Sequence, residues 1–421
     1  MTNITFADVV HQTVGFADDT PSGKLLLRLI DTAWVQRLRD ISQTANTRLV
    51  FMFSEHSRFG HSLGVAYLAS QLLDKLEGVN PDAKQYRAAI MAAALLHDVG
   101  HLAPGSHTAF KAWFPEQPDE HEGIAARIIN EDSEIHGVLS KASAELPALV
   151  CKILDEDSAL PAWTWEVISG GGWNVDRGNW CMVDSILAGV SYGKYNISAL
   201  TESIIISKDG HLSIRENRLD AMVHFAVSRH AMYRQIYQHR VILACDMLNA
   251  AIARRARDLA DEAIFKDETM QEVLNAKHHS ELSLATIFKM REPWWRYHLM
   301  RWIDGPDKIL ADLSSRLINR RLFKTVRISR ADDPVKLKET AARAVEKAGF
   351  DPRYYLHTTS TADMHAGDSK QSMLVLMDDG KLMPVSEAEP LLNALLGESD
   401  RYKNSWLVMP AEAKKALGRE R

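Results

Sequence analysis

Between residues 88 and 96 nearly every position is Ala, Leu, Ile or Met, so the stretch is apolar on all sides and predicts a helix buried in the middle of a domain. Upstream, Leu25, Leu29, Ile30, Trp34, Leu38 and Ile41 fall at helical spacing with Arg and Asp opposite them. That pattern predicts two helices over residues 24–43, with Thr32 as the cap between them. Residues 62–77 and 84–98 predict two more, and Gly100, Pro104 and Gly105 then mark a loop carrying His101 and His107. A helix is expected from His121 to Asn130 and two others before Ile168, after which Gly170, Gly171 and Gly172 make the sharpest break in the chain.

Residues 202–216 predict a short hairpin, and Leu219 to Arg257 one long helix. On that helix Arg229, Tyr233, Tyr237 and Arg240 are spaced by four, four and three, which puts them on roughly one face. Helix continues to about Asn319. Beyond it the texture changes: Lys324 to Ile328 predicts a strand, Pro334 to Ala348 an amphipathic helix, and Met373 to Met377 a strand before the turn Asp378-Asp379-Gly380. Thr358 to Lys370 is polar enough to be a loop. The fold class expected is mainly α, with a helical core over residues 1–320 and a small α+β region over 321–421.

The 421 residues are 46% hydrophobic, enough for one large core or two unequal domains. A net charge of -5 gives no global basic field, so nucleic acid is not the default partner and any anion site must come from local Arg and Lys. Cys151, Cys181 and Cys245 lie far apart, which argues against a disulfide frame or a thiolate zinc site and makes a reducing, cytoplasmic setting the expected one. Residues 1–19 lack the basic start and apolar run of a signal peptide. No apolar stretch reaches the roughly 20 residues that span a bilayer, so no membrane partner is expected.

The buried run ends on His97-Asp98. An imidazole and a carboxylate at the end of a buried helix are costly to desolvate unless something pairs with both, and a divalent metal does so. His61 adds a third ligand of suitable type. The order Arg58-Phe59-Gly60-His61-Ser62-Leu63-Gly64, then His97-Asp98-Val99-Gly100-His101, then His121-Glu122, resembles the HD-domain phosphohydrolases. Arg28 to Thr32, Gln36 to Ile41, Val175-Asp176-Arg177 and Tyr237-Gln238-His239-Arg240 extend the likeness to the deoxynucleoside triphosphate triphosphohydrolases, over roughly residues 10–325.

That resemblance implies a divalent metal, Mn, Fe, Mg or Zn, held by His61, His97, Asp98 and a later aspartate. The last falls on Asp176 or Asp184, and the run Gly172 to Arg177 favours Asp176. The same register sets Trp180 against a nucleotide sugar and Asp184 on its 3'-hydroxyl, with Gln43 near the sugar and Tyr237 lining its pocket. Arg58, Arg177, Arg229 and Arg240 would hold the triphosphate, and His101 and His121 would be catalytic. The activity implied is metal-dependent hydrolysis of deoxynucleoside triphosphates to deoxynucleoside and triphosphate, by a homo-oligomer that takes an activating nucleotide. The alternatives are another nucleotidase or phosphodiesterase, or a nucleotide sensor with little turnover. Three features depart from the family: Phe110 stands where an acid is common, Tyr233 where a histidine is common, and the sterile-alpha-motif domain is absent.

Overall fold

The computed structural model describes residues 3–105, 110, 112–117, 121–361, 373–396 and 404–418. His107 lies outside them, as does most of the loop expected over Thr358 to Lys370. The chain opens with an antiparallel hairpin, β1 (Asn3–Asp8) and β2 (Gln12–Ala17), followed by α1 (Pro21–Ile30). Thr20 caps α1 by accepting from Gly23 N, and Pro21 sits at the helix start, where its missing N–H is no loss. Thr32 has the extended backbone of a cap before α2 (Ala33–Arg37), but its hydroxyl donates back to Leu29 O at 2.6 Å, so it closes the first helix instead of capping the second.

Two helices form the centre, α3 (Arg58–Val79) and α4 (Arg87–Leu96), packed on one another. Every residue from Ala89 to Leu96 is buried, as an all-apolar helix requires. Around α4 pack α1 and, later in the chain, α7 (Leu146–Leu154) and α8 (Trp163–Ser169), which follow α5 (His121–Glu131) and α6 (Ser133–Ala142). Next, α9 (Val175–Leu187) lies along α3, its first turn capped by the Asn174 side chain accepting from Arg177 N. Short α10 (Ile197–Ser203) leads into a hairpin, β3 (Ile204–Ile206) and β4 (Leu212–Arg215).

The expected single helix from Leu219 to Arg257 is two helices, α11 (Leu219–Met232) and α12 (Arg240–Asp258). A π-helical turn over Tyr233–Tyr237 joins them, closed by Gln238 N donating to Tyr233 O, and His239 then leaves helical backbone altogether. The wider turn holds one residue more than an α-turn, which shifts every side chain after it.

The last hundred residues contribute to two sheets. One is antiparallel, in the order β5 (Lys324–Ile328), β9 (Ser405–Met409), β6 (His357–Ser360). In the other, β7 (Leu374–Leu376) pairs parallel to β4, and β8 (Leu382–Pro384) pairs antiparallel to β7, so the strand expected at 373–377 extends the hairpin that precedes α11. Among the described residues no helix is long and apolar enough to cross a membrane.

Candidate active site

Helix ends supply the chemistry. His61 is in the first turn of α3, His97 follows the last turn of α4 with Asp98 beside it, Asp176 is in the first turn of α9, and His121 begins α5. Helix starts favour nearby negative charge, which suits Asp176 in particular. His61 Nε2 lies 2.9 Å from Asp176 Oδ1 and 3.7 Å from Asp98 Oδ2; His97 Nε2 lies 3.4 Å from Asp98 Oδ1 and 3.6 Å from Asp176 Oδ1. Ligand atoms about 2.1 Å from one ion stand roughly 3.0 to 3.5 Å apart in octahedral or tetrahedral geometry, so these four side chains are spaced to hold one divalent metal.

The partners of the imidazoles agree with that use. His97 Nδ1 is 2.9 Å from Ala94 O, to which it donates, and its Nε2 is buried with no hydrogen-bond partner. That nitrogen is then a lone-pair donor aimed at the two carboxylates. His61 Nδ1 sits 3.2 Å from the Asn179 side-chain amide, whose other end meets His11 Nε2 at 3.3 Å. The amide nitrogen faces both Nδ1 and, at 3.4 Å, His61 O, so Asn179 fixes the orientation of the His61 ring. Gly64 makes the contact possible, because a Cβ there would stand 2.6 Å from Asn179 Oδ1. Asn179 was not singled out from sequence, although its place three residues after Asp176 puts both on one face of α9.

Charge in the cluster is uneven. Burial opposes ionisation of Asp98, but Arg58, whose Nη1 is 2.6 Å from Oδ2, together with His97 and His101 holds its carboxyl well below the usual range. Burial likewise opposes charge on His97, yet Asp98 and Asp176 outweigh it and push the imidazole up to about 9. The field that favours an imidazolium there favours a metal cation equally. His101 is different: burial, Arg58 and His121 hold it well below the usual histidine range. Its ring stacks on His121 with centroids 4.0 Å apart, and its Nε2 reaches Asp98 Oδ1 at 3.2 Å. Gly100 allows this stack, since a Cβ there would fall 2.0 Å from His121 O. Asp98, His101 and His121 form a second group whose ligand atoms lie within 4.8 Å of one another.

Two turns along α9 is a second polar cluster. Asp184, buried, receives Tyr237 OH on Oδ2 and lies 2.7 Å from His56 Nε2 through Oδ1. It therefore stands apart from the metal-type cluster, which contains Asp176. Trp180 meets Tyr237 and Tyr233 edge to face at 5.4 and 5.8 Å. Gln43 is brought here through its backbone, Gln43 N donating to His56 O, and its Oε1 is buried with no hydrogen-bond partner. His56 was missed from sequence; its place two residues before Arg58 was the available signal.

The four arginines expected around a triphosphate are engaged separately. Arg58 holds Asp98, Arg177 donates to Gly170 O at 2.6 Å, and Arg229 lies on the Tyr233 ring and donates to its hydroxyl at 3.3 Å. Arg240 is exposed at the start of α12, carried off the shared face by the π-turn and the break at His239. Phe110 is buried against Phe114 and His279.

The family model for the HD domain matches residues 58–159, which hold His61, His97, Asp98, His101 and His121. The chain is 30% identical to the uncharacterised Bacillus subtilis protein YwfO, over 93% of this chain and 89% of that one. It is 25% identical to the deoxynucleoside triphosphate triphosphohydrolase SAMHD1 homologue of Dictyostelium discoideum, over 76% of this chain but 59% of that longer protein. A phosphohydrolase from Bacteroides thetaiotaomicron has the same fold, with a TM-score of 0.81 at 23% identity, covering 97% of this chain and all of that one. Taken with the paired histidines and aspartates at the helix ends, these likenesses make the chain a member of the HD-domain phosphohydrolase superfamily, a metal-dependent hydrolase resembling the deoxynucleoside triphosphate triphosphohydrolases.

Proposed function

We propose that this chain hydrolyses deoxynucleoside triphosphates to deoxynucleoside and triphosphate. The observation that carries the reading is α9, which gives Asp176 to the metal-type cluster and, eight residues later, Asp184 to a cluster of Trp180, Tyr237 and His56. A nucleotide needs both: chemistry at the α-phosphorus and, a few ångströms away, recognition of a sugar. The likeness to triphosphohydrolases supports the same substrate class.

In this reading His61, His97, Asp98 and Asp176 hold a divalent ion of the Mn, Fe, Mg or Zn type. When bound there, it supplies Lewis-acid polarisation of a phosphoryl oxygen and acidification of water. Asp184 accepts from the sugar 3'-hydroxyl, with Gln43 beside it. Trp180 and Tyr237 flank the ring, and Tyr237 leaves a ribose 2'-hydroxyl crowded. Arg58 neutralises Asp98, and Arg177, Arg229 and Arg240 are the cations from which a triphosphate would draw its partners. His101 and His121 act as one acid unit: stacked rings at 4.0 Å cannot both be charged cheaply, so at most one of them is an imidazolium, and the pair passes that proton to the departing 5'-oxygen. Assembly into a homo-oligomer, activation by a second nucleotide, a cytoplasmic setting and a domain boundary near residue 320 belong to the same proposal.

Metal-replete protein incubated with each deoxynucleoside triphosphate, alone and mixed, tests it by ion-exchange separation of the products. Triphosphate with deoxynucleoside is the expected result. Inorganic phosphate or pyrophosphate would place the cut at another bond and favour a broader nucleotidase, and no product from metal-loaded protein would favour a nucleotide sensor.

A further inference from the structure

We infer that His56 is the positioning residue that makes Asp184 selective for a hydroxylated sugar. The inference rests on the proposed function, and adds to it a side chain outside the expected site. Residues 41–43 and 56–58 run antiparallel as a short ladder: Ser42 bridges Ser57, Gln43 N donates to His56 O at 3.0 Å, and Arg58 N donates to Ile41 O at 2.9 Å. Ser57 is extended, so the side chains on either side of it leave the ladder in the same direction. Arg58 holds Asp98 at 2.6 Å, and His56 holds Asp184 at 2.7 Å. One extended segment thus contacts one acid of each cluster.

The hydrogen bonds define what His56 does to Asp184. His56 Nδ1 is buried with no hydrogen-bond partner, which leaves Nε2 as the nitrogen engaged with Oδ1. Tyr237 OH donates to Oδ2. A carboxylate has about four lone-pair positions, so two donors occupy half of them and pin the plane of the group. The positions left over point in fixed directions, and a sugar hydroxyl donating into one of them meets an acceptor that needs no rearrangement. Without His56 the carboxylate can turn about its Cβ–Cγ bond, and the hydroxyl loses a pre-aimed acceptor. The side chain touches no reacting atom in this scheme; it acts through Asp184.

The test compares hydrolysis of a deoxynucleoside triphosphate with that of its 2',3'-dideoxy analogue, by wild type, His56→Ala, His56→Asn and His56→Gln, at equal metal content. Gln places a side-chain amide nitrogen near the position of imidazole Nε2 and can donate to Asp184, whereas Asn reaches only as far as Nδ1. The deoxy-over-dideoxy ratio of kcat/KM should fall by about tenfold, the worth of one hydrogen bond to a charged group, in His56→Ala and His56→Asn, mainly through KM, and should recover in His56→Gln. Should His56→Ala not fold, the contrast between Asn and Gln decides. A wild-type ratio near one would overturn both the sugar-binding reading of Asp184 and the role of His56. A high wild-type ratio that persists in His56→Asn, or that His56→Gln does not restore, would overturn the role of His56 alone.

Discussion

Asp98 has four nitrogens within 3.7 Å, from Arg58, His101, His97 and His61, and it is buried. Arg58 and Asp98 compensate one another, so Asp176 is the carboxylate of the cluster that faces the two imidazoles His61 and His97. Asp176→Ala should therefore remove bound metal while the chain stays folded, and elemental analysis of the purified variant checks it; wild-type stoichiometry would exclude Asp176 as a ligand. Asn179→Ala tests the orientation of His61. Loss of an outer hydrogen bond to a ligating histidine weakens metal binding by about 10 to 100-fold, so titration of chelator-stripped protein with Mn²⁺ should show a shift of that size. No shift would mean that packing alone fixes His61. At this scale the ligand types were readable because His-Asp after an apolar run has few stable uses, but His56 and Asn179 act through contacts made 128 and 118 positions away in the chain.

Among elements, α2 and the loop after α4 are joined by one side chain. Arg37 is fully buried, and its guanidinium donates to the carbonyls of Phe288, Val99, His101, Ile287 and Met290. Burial lowers its affinity for a proton, with Arg291 adding to the effect, and the five carbonyls are what keep a cation tolerable there. Arg37→Ala should destabilise the chain by about 3 to 5 kcal/mol, because those carbonyls lose their donors, and should slow turnover because His101 loses its backbone anchor. Denaturant unfolding and an activity assay on the same preparation check both; a loss below about 1 kcal/mol would mean that water replaces the guanidinium. The π-turn at Tyr233–Tyr237 shows why the face on the long helix was misjudged. The spacing of four, four and three through Arg229, Tyr233, Tyr237 and Arg240 fits an unbroken helix, and an extra residue in one turn leaves no mark on composition.

At the scale of the molecule, the proposed metal site joins α3, α4 and α9, so its occupancy would couple to global stability. At a free metal concentration about 100-fold above the dissociation constant, binding adds about 2.7 kcal/mol. A chelator should lower the thermal midpoint and added Mn²⁺ should restore it; a midpoint indifferent to both would mean that the cluster binds no metal. A charge pair outside the site ties α12 to α13 (Lys308–Ile318): Arg255 grips Asp307 through two hydrogen bonds, of 3.1 and 2.5 Å. Those bonds hold the Asp307 carboxyl below its ordinary value. Because the folded value is the lower one, the stabilisation is complete above about pH 4 and is lost as pH falls through the folded value. Asp307→Asn keeps the cap on Leu310 N but not the charge, so it should cost about 1 kcal/mol at pH 7 and progressively less below pH 4. A difference independent of pH, read from denaturant midpoints, would assign the effect to packing.

The helical class, the buried α4, the loop at Gly100 and the candidate ligands His61, His97 and Asp98 could be read from the chain, because each rests on local rules: periodicity, composition and the cost of desolvating a polar pair. Composition and spacing alone left Asp176 and Asp184 open, since both are acids on one helix, and only the family-like run Gly172 to Arg177 favoured Asp176. The fold distinguishes them by what faces each: His61 and His97 for Asp176, His56 and Tyr237 for Asp184. It also assigned β7 to the β3–β4 hairpin, although some 160 residues separate Ser213 from Leu374. Strand pairing and second contacts to a carboxylate depend on which surfaces meet, and no local pattern encodes that.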